Sequence, residues 1–218
     1  MDLTMRWRVS PNVVCLNAAL HALERSCRWK EALWIFQAVF QGLSLAFDSF
    51  DSKFAEPFSP FWNLHPDVVT FNTLINAAAK KGKLSNAVDW FHMALSMSVR
   101  PDMLTYNMVL AAAAQAGDAL AAEQWFDRMS KDGFVPDIVS YNSLMKALMK
   151  TARTRDVEEL FWQMKMNSVM PDVVTLKTMR WALGRQRVKE LLSDADLLAE
   201  QWSDEQMAGV ALNTGLVA

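Results

Sequence analysis

The sequence lacks long apolar runs and contains only two cysteines, and both shortages narrow what the protein can be. A bilayer-spanning helix needs about 18 to 20 consecutive apolar residues, so we expect no membrane-spanning segment. Cys15 and Cys27 have no histidine partners at metal-ligand spacing, which favours buried or idle thiols in a reducing compartment. With 218 residues, 52% of them hydrophobic and 21% charged, the composition is that of a globular chain with ample core.

The chain also lacks a large excess of either charge, because its formal net charge is only −2. The acidic residues are unevenly placed: six lie from Glu190 to Glu205, where there is no Lys or Arg. Residues 1–189 then hold 22 basic and 18 acidic residues, a net charge of +4. Such a mildly basic segment permits an RNA partner without requiring one.

Residues arranged for catalysis are missing too. The histidines His21, His65 and His92 are scattered, and no nucleophile motif, phosphate loop or metal-ligand cluster accompanies them. We therefore expect no enzyme activity, no cofactor, no metal and no small-molecule substrate. The opening MDLTMRWRVS has no apolar core of signal-peptide length and is too short for a transit peptide. We expect either that a targeting segment has been removed or that there is none.

What the sequence does contain is a unit repeated at a fixed interval. The stretches PDVVTFN, PDMLTYN, PDIVSYN and PDVVTLK begin at prolines 35 residues apart: Pro66, Pro101, Pro136 and Pro171. A similar stretch begins earlier, at Pro11. An alanine follows each proline by eleven residues, and a phenylalanine recurs late in four units: Ala22, Ala77, Ala112, Ala147 and Ala182; Phe36, Phe91, Phe126 and Phe161. A fixed period of this length indicates a repeat architecture.

Each unit has the pattern of two short amphipathic helices joined by a turn. In VVTFNTLINAAAKKG the apolar residues Phe71, Leu74, Ile75 and Ala78 follow a 3.6-residue period, and Gly82 permits the turn. The segment LSNAVDWFHMALSM supplies a second apolar stripe. Because the apolar face of one hairpin must be covered by the next, the sequence predicts an all-α fold, an α-solenoid of about five helical hairpins.

The motifs of the unit distinguish between two kinds of helical-hairpin repeat. They are the 35-residue period, the Pro-Asp opening, the V-[VT]-[FY]-N segment and a late W-F-x-x-M, as in WFHMAL, WFDRM and FWQM. The tetratricopeptide pattern has a period of about 34 and a W-x2-L-G-x2-Y opening, which these units lack. They resemble instead the pentatricopeptide repeat (PPR) family, over residues 11–45 and 66 to about 185. The resemblance implies a right-handed solenoid.

The repeat phase predicts the organisation of the whole chain. A lead-in (1–10) precedes a first repeat (11–45), which is followed by an aromatic-rich insertion (46–65). Three regular repeats come next, then a degenerate capping repeat and a tail: 66–100, 101–135, 136–170, 171–205 and 206–218.

One asparagine returns at the same position of the first helix, six residues after the proline: Asn17, Asn72, Asn107 and Asn142. Asparagine is a mediocre helix former because its amide competes for backbone hydrogen bonds. A bond to the local backbone would explain a single residue of this kind. Four in register instead predict a row of amides along one surface.

The resemblance assigns these amides to RNA recognition. In PPR proteins each repeat reads one base of single-stranded RNA with two or three side chains, and the asparagine acts with the residue after the proline of the next unit. The implied pairs are Asn17 with Asp67, Asn72 with Asp102, Asn107 with Asp137, and Asn142 with Asp172. In the family, Asn with Asp goes with a pyrimidine, uridine before cytidine. Each aspartate also fits an ordinary helix N-cap, and the two roles are compatible.

Two further positions follow from the same resemblance. An aliphatic residue three after each proline is assigned to sandwiching bases: Val14, Val69, Leu104 and Val139, with Val174 in the last unit. A mostly basic position fourteen after each proline is assigned to phosphate contacts: Arg25, Lys80, Lys150 and Arg185. Evenly spaced cations suit a nucleic-acid backbone. Core packing is the alternative for the aliphatic residues, and solvation at a helix C-terminus is the alternative for the cations.

Two segments depart from the pattern. The insertion places aromatic residues at helical spacing, which fits either docking on the rest of the chain or binding of a partner: Phe47, Phe50, Phe54, Phe58, Phe61 and Trp62. In the fifth unit Lys177 replaces the asparagine and Asp196 replaces the phenylalanine. The segment VKELLSDADLLAEQW keeps a helical pattern with a polar outer face, as expected of a terminal capping repeat.

Two functions remain open. The resemblance favours sequence-selective binding of a short U-rich or pyrimidine RNA by an adaptor in organellar RNA metabolism, in a mitochondrion or plastid. The alternative is a helical scaffold that contacts other protein subunits of a large organellar complex. Some relatives carry a deaminase module, but the H-x-E with C-x-x-C zinc site it needs is absent. Three or four readable bases distinguish only about one sequence in 64 to 256, so we expect protein partners as well.

Overall fold

The computed structural model describes residues 12–26, 28–40 and 65–194, and these residues form ten α-helices and no strand. The all-α class predicted from the repeat is confirmed for them. No helix in this part of the chain has the length and apolarity that crossing a bilayer requires. The aromatic residues of the insertion and everything after Asp194 lie outside the described residues. The helices are α1 (Val13–Arg25), α2 (Trp29–Phe40), α3 (Val68–Lys80), α4 (Leu84–Ser96), α5 (Met103–Ala116), α6 (Ala119–Lys131), α7 (Ile138–Lys150), α8 (Thr154–Met166), α9 (Val173–Leu183) and α10 (Arg185–Asp194).

The first helix of each hairpin begins where the repeated Pro-Asp motif places it. The side chains of Asp67, Asp137 and Asp172 accept hydrogen bonds from the backbone N–H of the residue three positions later. The hydroxyl oxygen of that third residue accepts a hydrogen bond from the backbone N–H of the aspartate, which completes a capping box. The predicted N-cap role of these aspartates is confirmed.

Left-handed residues end the helices and reverse the chain. Gly82 and Gly117 follow first helices with φ of 63° and 77°, and Gly133 follows a second helix with φ of 90°. Ala152 stands at the position equivalent to Gly82 and Gly117 and also adopts positive φ, 56°. A Cβ in this conformation is crowded by the backbone, so Ala152 carries strain that glycine avoids.

The chain divides into two compact units, and the boundary after Ala112 falls inside α5. In the unit up to Ala112, α3 packs against α1, α2 and α4. The buried Phe36 ring of α2 meets Phe71 of α3 edge-on at 5.5 Å and Trp90 of α4 at 5.0 Å. Phe91 of α4 meets Tyr106 of α5 at 5.1 Å. The recurring phenylalanine of a second helix thus packs on the first helix of the next hairpin.

In the unit from Ala113 onward, α7 packs against α6, α8 and α9. Phe126 of α6 meets Tyr141 of α7 edge-on at 5.1 Å, which repeats the contact seen twice in the other unit. Edge-to-face aromatic pairs add about 0.5–1.5 kcal/mol beyond their buried area. Phe161 and Leu176 are both buried at the equivalent positions of the last two hairpins. One apolar contact therefore defines the register from hairpin to hairpin within each unit.

Ion pairs link successive second helices on the polar side of this unit. Arg153, the N-cap residue of α8, lies 2.8 Å from Glu123 of α6, and Arg187 of α10 lies 2.8 Å from Glu158 of α8. The hydrogen bond from Arg187 holds the pKa of the Glu158 carboxyl below its ordinary value. Exposed pairs of this kind stabilise a fold by less than about 1 kcal/mol each, so they assist the register that the aromatic contacts define.

Candidate functional site

The repeated asparagines lie on one face of the first helices, which we call the amide face. It consists of the positions three, six, ten and fourteen residues after each proline. In α3 these are Val69, Asn72, Asn76 and Lys80. Spacings of three and four residues bring side chains onto one side of an α-helix. The first helices α1, α3, α5 and α7 therefore carry an aliphatic residue, an asparagine and, in all but α5, a cation along one line.

The amide of Asn72 is held by two residues of the next hairpin. Its Nδ2 donates to the Asp102 carboxylate, with distances of 3.2 Å to Oδ1 and 3.5 Å to Oδ2. The Thr105 hydroxyl lies 2.6 Å from Asn72 Oδ1 and donates to it. The Asn72 side chain is 6% exposed and that of Thr105 is buried. We call this arrangement of amide, carboxylate and hydroxyl the amide lock.

The amide lock recurs at two other hairpin junctions. Asn17 Nδ2 donates to Asp67 Oδ1 at 3.0 Å and the Thr70 hydroxyl donates to Asn17 Oδ1 at 2.7 Å. This junction forms although 50 residues separate Asn17 from Asp67, against 30 for Asn72 and Asp102. The third lock joins Asn142 to Asp172 at 3.1 Å and to the Thr175 hydroxyl at 2.7 Å.

The carboxylate of each lock also caps the helix on which it lies. Asp102 Oδ1, for example, accepts from the Thr105 backbone N–H at 2.8 Å while the carboxylate holds Asn72. Partial burial by itself raises the pKa of Asp67, Asp102 and Asp172, but the hydrogen bonds from the threonines and asparagines outweigh it and the net pKa lies below 3.8. The three carboxylates are therefore ionised at neutral pH.

The amide lock fixes which way round each asparagine amide stands. An ionised carboxylate only accepts hydrogen bonds, so the amide nitrogen must face the aspartate and the oxygen must face the hydroxyl. A side-chain amide has two N–H donors and two oxygen lone pairs. The lock on Asn72 uses one of each, and one donor and one acceptor have no partner among the described residues.

Asn107 stands at the same position of α5 and is 6% exposed. In the other unit Asp137 and Ser140 form the same capping box as the other lock residues, with the Ser140 hydroxyl 2.9 Å from Asp137 Oδ1. The pairing of Asn107 with Asp137 stays a prediction.

The aliphatic residues of the amide face are exposed. Val14 is 67% exposed and Val139, the least exposed of the four, is 50% exposed, with Val69 and Leu104 between them. The alternative of core packing is therefore wrong for these side chains, and Val174 of the last hairpin is exposed as well. Their assignment to sandwiching bases stays a prediction, and their exposure leaves them accessible for it.

The cations of the amide face differ in their surroundings. Lys80 Nζ lies 2.5 Å from Glu24 Oε1, and Lys150 Nζ donates to the backbone oxygen of Gln115 at 2.8 Å. Arg25, like Lys80 and Lys150, lies in the last turn of its helix. Arg185 instead begins α10, because α9 ends at Leu183. The contact of these cations with phosphates stays a prediction.

Sequence reasoning missed two parts of the site. The hydroxyl residues Thr70, Thr105, Ser140 and Thr175 stand four after each proline, a fixed spacing that would have shown them. Glu24 is 2% exposed and bonds Lys80 and Asn76, with His21 3.3 Å away. No other unit has a carboxylate at its position, so the repeat pattern could not reveal it.

The chemistry available on the amide face is hydrogen bonding, apolar contact and charge attraction. Among the described residues no group of three or more His, Cys, Asp or Glu side chains lies close enough to hold a metal ion. In α9 the position of the asparagine is taken by the exposed Lys177, so the last hairpin has no amide of its own to be locked.

Comparison with protein families matches the repeat. Three overlapping segments fit the family described as the PPR repeat family: residues 66–115, 101–150 and 136–183. The three matches begin at Pro66, Pro101 and Pro136 and together cover more than half of the chain. No curated protein is significantly similar in sequence to the chain.

Comparison with solved structures confirms the α-solenoid of helical hairpins. The pentatricopeptide repeat protein PPR10 in complex with an 18-nt psaJ RNA element superposes with a TM-score of 0.69 at 20% identity, over 97% of this chain and 30% of that one. PPR10 from maize gives 0.64 at 26% identity, over 96% and 27%. The PPR domain of Arabidopsis thaliana protein-only RNase P 1 in complex with tRNA gives 0.63 at 16% identity, over 91% and 96%. The chain thus spans less than a third of the length of PPR10.

Proposed function

The chain belongs to the PPR repeat family, and we propose that it binds a short single-stranded RNA rich in uridine along the amide face, as an adaptor in organellar RNA metabolism. The observation that carries the proposal is the amide lock. Three asparagines, Asn17, Asn72 and Asn142, are held in one orientation by the same two kinds of side chain. Repetition of the same local geometry at each asparagine is what one-base-per-repeat recognition requires.

The hydrogen-bonding capacity that the lock leaves over suits the edge of a base such as uracil. Uracil presents an N–H donor beside a carbonyl acceptor on its Watson–Crick edge, and a side-chain amide with one donor and one acceptor to spare complements that edge. Cytosine, adenine and guanine also present a donor beside an acceptor on this edge, so the amide alone does not select a base. The preference for a pyrimidine, uridine before cytidine, rests on the family resemblance.

The exposed aliphatic residues support base binding next to the amides. Val69 lies one turn before Asn72 on α3, and Val139 lies one turn before Asn142 on α7. A base bonded to the asparagine would cover the nearby valine and remove its apolar surface from water, which contributes about 25 cal/mol per Å². The valines that are exposed in the RNA-free protein would thus supply apolar surface for the bound bases.

The comparisons support the same ligand class. PPR10 was solved with an RNA element and the Arabidopsis thaliana PPR domain with tRNA. Binding of RNA by this chain is our proposal, since the identities are low and the chain covers under a third of PPR10. The organellar setting likewise rests on the family.

The number of recurring asparagines in this chain limits how much RNA sequence the chain can select. Four asparagines read at most four bases, or about one sequence in 256. Even stacking on an aromatic side chain contributes only about 1–3 kcal/mol per base, so we expect modest affinity. We propose that other protein subunits supply further specificity, in keeping with an adaptor that has no catalytic role.

Binding to homopolymers tests the proposal. The isolated protein should bind oligo(U) more tightly than oligo(A) at the same salt concentration. Asn142→Ala should weaken oligo(U) binding by about two- to tenfold, because one hydrogen-bonding group contributes about 0.5–1.5 kcal/mol. The matched control is Asn86→Ala, which removes an amide from α4, a second helix of a hairpin, and should leave the affinity unchanged. Thermal melting of each variant confirms that the folded protein is being compared.

Equal and weak binding to both homopolymers, unchanged by Asn142→Ala, would refute RNA reading. The alternative is then the helical scaffold, which one observation favours. Large apolar side chains are exposed on the second helices, among them Leu95, Leu120 and Met166. A pull-down with and without ribonuclease separates the two functions, because protein partners of a scaffold survive removal of RNA.

A further inference from the structure

The last hairpin carries an exposed tryptophan on its amide face. Trp181 of α9 is 78% exposed. Val174, Lys177 and Trp181 are spaced by three and four residues, so they lie on one side of the helix, and all three are exposed. Trp181 thus stands one turn after the residue that replaces the recurring asparagine.

The position of Trp181 in the repeat sets it apart from an ordinary surface tryptophan. The equivalent residues of the other first helices are smaller or polar: His21, Asn76, Ala111 and Lys146. Two of them show where this position reaches. Asn76 donates to Glu24 of α1, and Lys146 Nζ donates to Gln115 Oε1 of α5, each a contact with the preceding hairpin along the amide face. A ring at this position therefore lies on the surface proposed to bind RNA.

The charges near Trp181 favour a polyanion. Lys177 lies one turn before it and Arg185 four residues after it, and both are exposed. An aromatic side chain between cations that can contact the backbone is the arrangement by which proteins bind single-stranded nucleic acid without reading its sequence. Lysine in place of asparagine removes the amide that would select a base. The last hairpin therefore keeps an aromatic ring and cations that can bind a nucleotide, but it lacks the amide that would select the base.

We propose that the Trp181 ring stacks on one base of the RNA, beyond the bases read by the asparagines, while Lys177 approaches the adjoining phosphate. The inference rests on the proposed function and adds to it a nucleotide that is bound regardless of its sequence. Stacking on one aromatic side chain contributes about 1–3 kcal/mol, or about 5- to 150-fold in Kd. An exposed ring that covers one side of the base belongs at the lower end.

Titrations of the full chain with oligo(U) test the stacking. Trp181→Ala should weaken binding about five- to tenfold, and Trp181→Phe should retain most of the affinity because it keeps a stacking ring. The matched control is Met166→Ala, which removes an equally exposed apolar side chain from the second helix α8 and should change nothing. Trp181 is largely exposed, so thermal melting should be unaffected by its substitution.

A set of oligo(U) strands, each with one abasic position, locates the stacked base. The wild-type protein should bind more weakly when the abasic site lies at one particular position near an end of the bound segment. Trp181→Ala should bind that abasic strand as tightly as it binds intact oligo(U). Asn142→Ala should still bind that abasic strand more weakly than intact oligo(U). Replacing that base by adenine should leave the wild-type affinity intact.

The outcomes separate this inference from the proposed function. If the wild-type protein prefers oligo(U) and Asn142→Ala weakens binding while Trp181→Ala does not, the stacking is refuted and RNA reading stands. If the wild-type protein binds no RNA, both fail. The stacking would also be overturned if Trp181→Ala bound every abasic strand more weakly than the wild type by the same factor. That result would mean that the ring supports the fold and contacts no particular base.

Discussion

Replacing Asn72 by aspartate should turn an attractive contact of the amide face into a repulsive one. Asn72 Nδ2 lies 3.2 Å from Asp102 Oδ1, in a side chain that is 6% exposed. Asn72→Asp keeps the shape of the side chain and replaces the donating N–H2 by an oxygen. A second carboxylate then faces the first in a partly buried site.

The size of the effect follows from that distance. Two like charges about 3.2 Å apart repel by about 5 kcal/mol at an effective dielectric constant of about 20. Rotation of the side chain reduces this, and taking up a proton at pH 7 by a group with an ordinary pKa near 4 costs about 4 kcal/mol. We expect a loss of about 3–4 kcal/mol in the free energy of unfolding at pH 7. Asn72→Ala should cost less, about 1–3 kcal/mol, because it only leaves partners unsatisfied.

The pH dependence carries the sharper test. In the wild type the pKa of Asp102 lies below 3.8, so its contribution to stability is present above that value and is lost as the pH falls through the folded-state pKa. In Asn72→Asp the shared site raises the pKa of one carboxyl above its unfolded value. Its contribution is present at low pH and is lost as the pH rises through the raised pKa. Between about pH 4.5 and 7 the wild type should stay level and the variant should lose stability.

Urea unfolding and thermal melting followed by circular dichroism measure both effects. The control is Asn86→Asp, which adds the same charge to the second helix α4 and should change stability by no more than about 0.5 kcal/mol. If Asn72→Asp is as stable as the wild type at pH 7, or if its stability rises with pH over this range, the amide and carboxylate are not held against each other as described.

Two further predictions follow from individual contacts. Ala152→Gly should stabilise the protein by about 0.5–1 kcal/mol, because glycine relieves the strain of φ 56°; a lower melting temperature than the wild type would contradict this. Glu24→Gln removes the charge that pairs with Lys80 at 2.5 Å, so it should lower stability yet tighten oligo(U) binding. The slope of log K against log salt should become steeper by about 0.7, the increment for one released cation on a single strand. Titrations at several salt concentrations measure that slope, and an unchanged slope would show that Lys80 stays away from the RNA.

The helices of this fold could be predicted because their determinants are local. The Pro-Asp motif sets the start of α3, α7 and α9 through a cap that reaches only three residues. The period of the apolar residues sets the buried face, and the recurring Phe91 and Phe126 are buried as that period requires. Because each hairpin repeats the same code, one correct reading predicts the others.

The surroundings of the site were harder to predict because they depend on the junctions between hairpins. Whether Val69 is buried or exposed is decided by what the next hairpin covers, and its apolar character alone favoured the core. Sequence could show Lys80 in its repeated position but not Glu24 beside it, since that carboxylate occurs in one unit only. The hydroxyl of Thr105 is visible in the repeat pattern. Its bond to Asn72, 33 residues away in the sequence, is shown only by the structure.

The amide lock explains why structure and recognition are inseparable in this repeat. An asparagine free on a helix surface would have to give up rotamer freedom when a base binds, at a cost of up to about 1.5–2 kcal/mol for each side chain. In the lock, Asp172 and Thr175 have already fixed the Asn142 amide without RNA, so the cost is met when the chain folds. The same bonds join consecutive hairpins, which makes every substitution at the asparagine a change in stability as well as in specificity.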